Sequence, residues 1–321
     1  MAAQLNEDAA QQASLREGAA WPVVEAALMA RLGDAAGCCL PRALCAALLD
    51  ARHGASDEVS ACDASVLASV GMLVAEARDA LPDEAGAPWS GRRHVSRLVC
   101  ALRGMRGSGA PPARRHEDVV APGAAEVLPM DLRDPGSDWA RSVLLALAVL
   151  LAAVCARGRA SECEAEAEAL LLAIGRAGVL ALLGQRVTVG SLDALCPPLT
   201  ALLRSFSQPF REPDEAGRSP SRLSAGARAL AKHQNRSAGF WPPAGGGEAA
   251  KNAAALRALG RILADPAWIN QHVVPDGQGG GFAAVLEVRG PALYGARWSA
   301  DGAAFRGFLE PEGKFPRRPA P

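Results

Sequence analysis

Residues 293–309 read Leu-Tyr-Gly-Ala-Arg-Trp-Ser-Ala-Asp-Gly-Ala-Ala-Phe-Arg-Gly-Phe-Leu. An Asp-Gly pair between alternating apolar residues is the strongest short-range signal for a β-hairpin. Centring the turn on Asp301-Gly302 pairs Trp298 with Phe305, Ala296 with Gly307 and Tyr294 with Leu309. One face of the hairpin is then apolar throughout, and the other sets Arg297 directly across from Arg306. A slip of one residue would turn every ring to the wrong side, so the pattern fixes which face is core.

The same test extends upstream. Strands are expected over 268–274, 282–289, 293–299 and 303–309. A three-residue loop, Gly290-Pro291-Ala292, places Val288 beside Tyr294, Leu286 beside Ala296 and Ala284 beside Trp298, completing the apolar face. A two-residue loop would bring Glu287 and Val285 onto that face instead. A helix over 248–264 carries Leu256, Leu259, Ile262 and Leu263 on its apolar side and ends at Asp265-Pro266, where the residue before proline leaves the helical region. It can cover the sheet. The opposite face is expected to be wet and to crowd Glu287, Arg289, Arg297 and Arg306 together, with Phe308 nearby. Opposed like charges cost up to about 1 kcal/mol unless neutralised, and guanidinium forks match carboxylate and phosphate oxygens. These four residues are the candidate ligand site, taking an anion or an acidic peptide.

The rest of the chain has a different character. Nine of its fourteen aromatic residues lie in 240–321, whereas residues 1–206 hold three Trp, one Phe and no Tyr. The N-terminal core must therefore be built from Leu, Val, Ala and Cys. Helices are expected over 13–32, 39–52, 57–80, 91–105, 138–157, 161–184 and 191–206. Ser137-Asp138 opens one of them, and Ser161 with Glu164 has capping-box spacing. Pro- and Gly-rich stretches at 107–136 and 207–222 read as a linker or mobile loop and a second linker. The expected fold is mainly α: a helical bundle or irregular array over 1–106 and 137–206, then an α+β module over 223–321 in which one helix packs on an antiparallel meander.

Arg outnumbers Lys 31 to 3, and the 34 basic side chains balance 34 acidic ones. Zero net charge argues against a chain that holds nucleic acid mainly by neutralising phosphates, and no nucleic-acid partner is expected. The first residues lack a basic and then apolar leader, and the eight cysteines are too sparse for a disulfide scaffold. Cytosol or nucleus is the expected compartment. Residues 142–155 carry no charge between Arg141 and Arg157, but about 22 Å of helix falls short of a hydrocarbon core of about 30 Å. No transmembrane span is expected.

Catalytic and cofactor signatures are weak. Cys38, Cys39, Cys45 and Cys62 lack Cys-x-x-Cys spacing, the run Glu162, Glu164, Glu166, Glu168 has no His at helical spacing, and Gly245-Gly246-Gly247 before Lys251 lacks the P-loop ending. No metal or cofactor is expected. Ser299, Asp301 and His272 could be assembled as a triad, but the first two suit the hairpin turn better. His94, among Arg92, Arg93 and Arg97, begins a basic helix face suited to solvent or an acidic partner. The sequence therefore leads to a non-enzymatic interaction protein, with an acidic protein or peptide bound through Arg289, Arg297 and Arg306. The rivals are an enzyme with His272 and Glu287 between helix and sheet, and a peripheral membrane protein using the 142–156 helix.

Overall fold

A computed structural model describes residues 2–34, 36–49, 94–110, 137–211, 221–233, 239–243, 245–276 and 281–311. The expected helix at 57–80, most of the 107–136 stretch and residues 212–220 of the second linker lie outside these. The fold is mainly α with a small α+β module at its C-terminal end, as the pattern of periodicities predicts.

Four long helices build the first core: α1 (Ala2–Gly33), α3 (His94–Ser108), α4 (Asp138–Arg157) and α5 (Glu164–Leu182), with the short α2 (Arg42–Leu49) beside them. Their buried stripes are aliphatic, including Leu28, Leu32, Leu44, Leu98, Leu102, Leu147, Leu150 and Leu170. Ser137 caps α4 by accepting from the Ala140 amide, and Gly158 closes it with φ 72°, a left-handed conformation that glycine adopts without a Cβ penalty. The capping box at Ser161 does not form. Residues Ala160–Glu162 make a single 3₁₀ turn, and α5 starts beyond it. At Gly175, φ 66° and ψ 172° break α5, and the Trp139 indole donates to the Ile174 carbonyl at 3.1 Å, satisfying a group next to the break.

By length and composition α4 could cross a membrane. Its Val143, Leu147, Leu150 and Val154 are nevertheless packed in the helical core, while Leu145 and Val149 on its other side are exposed. His94 is not on a solvated basic face. It is buried, with Nε2 against the Cys196 carbonyl at 3.2 Å and Nδ1 facing Arg97 Nη1 at 3.0 Å. Arg97, also buried, donates to the Leu183 carbonyl, and burial pushes its pKa down. The pair ties α3 to the chain on its way to the second core.

That second core begins at Cys196. It gathers α6 (Leu199–Ser207), α7 (Ala225–His233), α8 (Glu248–Ala264) and a meander of β1 (Trp268–Pro275), β2 (Phe282–Arg289), β3 (Gly295–Ser299) and β4 (Phe305–Leu309) in the order β1-β2-β3-β4. Leu286, Val288, Ala296, Trp298 and Phe308 lie buried with Leu259, Ile262 and Leu263 of α8. Phe206 packs edge-on against Phe305 and Phe308. Trp298 pairs with Phe305 as the turn predicts, and the Ser299 and Asp301 side chains build that turn, Asp301 accepting from Ser299 Oγ and the Ala303 amide.

Two register details differ from expectation. The β2–β3 loop is longer, so Val288 faces Ala296 and Leu286 faces Trp298. The shift is by two residues and preserves both faces, because side chains alternate with period two. A bulge then interrupts β3–β4 after Arg297, so Arg297 lies across from Gly307, Ala296 across from Phe308, and Phe308 is buried rather than wet.

The outer edge of β1 is not bare. Residues 185–192 run beside it, with Arg186 N donating to Ile269 O (2.7 Å), Leu192 N to Gln271 O (2.8 Å) and Val273 N to Gly190 O (3.1 Å). Thr188, Ser191 and Asn270 join this seam through side-chain hydrogen bonds.

Gly226 on α7 sits directly under the Phe206 ring, leaving no room for a Cβ. Gly226→Ala is expected to lower stability by about 1–3 kcal/mol through overpacking, read as a fall in the denaturant midpoint at unchanged m-value. An unchanged midpoint would mean that this contact is not tight.

Candidate functional site

The face of the sheet turned away from α8 carries the chemistry. Cross-strand pairing of Trp268 with Arg289, Asn270 with Glu287, and Glu287 with Arg297 puts these residues on one side, and alternation adds His272. Glu287 stands at the centre, 2% exposed. Its Oε1 accepts both Nε and Nη2 of Arg289, at 2.9 and 2.7 Å. Its Oε2 accepts His272 Nε2 at 2.8 Å and Arg297 Nη2 at 3.1 Å. Burial alone pushes the Glu287 carboxyl up. The hydrogen bond from His272 and the charges of Arg289 and Arg297 more than offset it and hold the group at about 2. Glu287 is therefore a carboxylate at any physiological pH, and a poor proton acceptor.

The four predicted ligand residues have separated roles. Arg289 is buried and fully engaged, with Nη1 donating to the carbonyls of Leu293 and Glu310 in addition to the fork on Glu287. It organises the site from behind and does not reach out to a ligand. Arg297 is part-exposed, with one hydrogen bond to Glu287, and its Nε is buried with no partner among the described residues. Arg306 does not oppose Arg297, because the bulge carries it past, and it is exposed on β4. One carboxylate thus serves two guanidiniums and an imidazole, and the third guanidinium stands apart.

His272 was the residue that sequence reasoning placed in a different setting. It pairs with Glu287 as the enzyme alternative supposed, but on the open face of the sheet and not between helix and sheet. Because Glu287 is ionised, Nε2 is the donor in this hydrogen bond. Nδ1 has no partner among the described residues, and the side chain is 20% exposed. The ring is therefore held through Nε2, and Nδ1 is left for another partner.

Around this group the charge is positive. Arg186 comes from the strip beside β1 and lies 5.0 Å from the Trp268 ring centroid, with Arg289 at 5.9 Å from the same ring. Arg186 and Arg289 are both buried, whereas Arg297 is part-exposed and Arg306 exposed.

Residues 214–310 match the family model of the CdiA C-terminal tRNase toxin domain. The match spans under a third of the chain and encloses α7, α8 and all four strands. No curated protein and no solved structure shows a significant match. The family match overturns the expectation of a non-enzymatic interaction protein that binds an anionic ligand or acidic peptide: the matched segment is similar to a nuclease toxin, and it contains the whole Glu287 cluster. The sequence named His272 and Glu287 together only for an enzyme with its site between helix and sheet; the β1–β2 register, which no turn motif announces, puts both on the other face.

The depressed Glu287 pKa has a definite sign in stability. A carboxyl falling from an ordinary 4.5 to about 2 on folding contributes fully above pH 4.5 and loses that contribution as pH drops towards 2. Glu287→Gln is expected to lose about 3 kcal/mol near pH 7 and to flatten the pH dependence between 4.5 and 2 in urea titrations. Equal acid sensitivity in wild type and variant would place the titrating group elsewhere.

Proposed function

We propose that the C-terminal unit is a ribonuclease acting on tRNA, with His272 as its proton-transfer group on the open face of the sheet. The observation that carries this reading is the oriented imidazole: Nε2 is fixed to an ionised Glu287, Nδ1 has no partner among the described residues, and Arg297 shares the same carboxylate oxygen. The family match supplies the substrate class.

RNA carries its own nucleophile. The 2′-hydroxyl attacks the adjacent phosphorus, a 2′-O–P bond forms and the P–O5′ bond breaks, leaving a 2′,3′-cyclic phosphate and a 5′-hydroxyl end. The proton on the 2′-oxygen passes to His272 Nδ1, and solvent protonates the departing 5′-oxygen. Positive charge on the developing imidazolium is stabilised by Glu287, which cannot take the proton itself. Arg297 places a guanidinium where charge builds on the phosphoryl oxygens, the kind of preorganised electrostatic help that contributes most to such steps. Arg306, exposed and with no carboxylate partner among the described residues, contacts flanking phosphates. Trp268 offers an aromatic surface on the same face for stacking of a base.

Nucleic acid thereby becomes the partner, in place of the sequence expectation that excluded it. Net charge averages over the whole chain, while a polyanion meets only the local surface. Here Arg297 and Arg306 present guanidinium on the sheet although the chain as a whole is neutral.

The test uses the purified full chain and total tRNA in excess EDTA. Cleavage with 2′,3′-cyclic phosphate and 5′-hydroxyl ends is expected. His272→Ala should reduce the rate by about 10²–10⁴ with tRNA binding retained, and Arg306→Ala should mainly weaken binding. Wild-type cleavage by the His272→Ala protein, or 5′-phosphate products, would overturn the assignment.

A further inference from the structure

Cysteines dismissed for their spacing come together far from the sheet. The loop after α1 brings Cys38 and Cys39 against Glu168 of α5, and the two Sγ atoms and a carboxylate oxygen all lie within 4.8 Å of one another. The placement is held by several contacts. The Cys39 amide donates to Glu168 Oε1 at 3.0 Å, Arg31 Nε donates to Oε2 at 2.6 Å, and Arg31 also reaches Asp34 and the Gly37 carbonyl. Cys45, buried on α2, donates its thiol to the Leu40 carbonyl at 3.7 Å.

We propose that Cys38, Cys39 and Glu168 form a binding site for a thiophilic divalent cation, with zinc the best fit, and that the bound ion clips the α1–α2 loop to α5. Donor chemistry carries the identification: thiolate and carboxylate together suit zinc, whereas magnesium and calcium take oxygen ligands alone. Spacing agrees. Two sulfurs at about 2.3 Å from a tetrahedral zinc stand about 3.8 Å apart, and side-chain rotation of adjacent residues closes a gap of that size. Charge agrees as well, since two thiolates and Glu168 opposed by Arg31 leave two negative charges. Cys39 is exposed, so an ion can reach the group from solvent, and water completes the fourth position.

Cobalt(II) tests this on the full chain, kept reduced with a non-thiol reductant. One equivalent should bind, with a thiolate-to-cobalt charge-transfer band that zinc abolishes, and zinc should raise the melting temperature. Cys39→Ser, at an exposed position, should weaken binding at least tenfold, and Cys38→Ser/Cys39→Ser should abolish the band. Cys155→Ser, exposed on α4, should leave it intact. Absence of the band in the reduced wild-type chain, or its persistence in a folded double variant, would overturn the site. None of these readouts depends on RNA cleavage.

Discussion

A single buried carboxylate organises the face of the sheet turned away from α8. Glu287 sits where a charge is costly, and isolated burial would neutralise it. It stays ionised because Arg289 grips one oxygen with two parallel donors while His272 and Arg297 share the other. Each partner is fixed by being needed. Removing the carboxylate would leave buried guanidinium unpaired, which is the costly half of breaking an ion pair. Structure and site geometry therefore depend on the same oxygen atoms: the group that keeps β1, β2 and β3 electrostatically compatible also orients the imidazole.

This arrangement divides labour among residues that look alike in the sequence. Arg289, Arg297 and Arg306 all alternate with apolar neighbours in strand register. Burial distinguishes them. The first spends every donor it uses on protein acceptors, the second is half-committed, and the third faces water. A gradient from structural to available guanidinium runs across the sheet, away from the strip at residues 185–192.

Much of this face was legible in the sequence because side-chain direction in a strand depends only on parity. The predicted β2–β3 loop was too short by two residues, and the error left Glu287 and Arg297 on the same side. Bulges escape such reasoning. The one after Arg297 moved Arg306 and buried Phe308, and nothing in Phe-Arg-Gly-Phe distinguishes a bulged from a regular strand beyond the presence of Gly307, whose φ is 136°. The N-terminal helices were readable for the complementary reason, since Ser137 and Gly158 are local signals acting within one turn. Contacts made across many residues had no such sign: Cys39 meets Glu168 across 129 positions, and the strip beside β1 has neither period nor motif. His94 misled because its arginine neighbours suggest solvent, whereas its burial is decided by Cys196, in another part of the chain.

The strip at residues 185–192 lies upstream of the segment that resembles a tRNase toxin domain, yet it completes that segment's sheet. An excised 214–310 piece would keep the cluster around Glu287 while stripping the outer rim of β1. Unsatisfied amides and carbonyls would then line an open flank, a template for edge-to-edge self-association. The helical half thus covers an edge that the matched segment leaves bare, and a fragment that keeps this cover has to begin before Arg186.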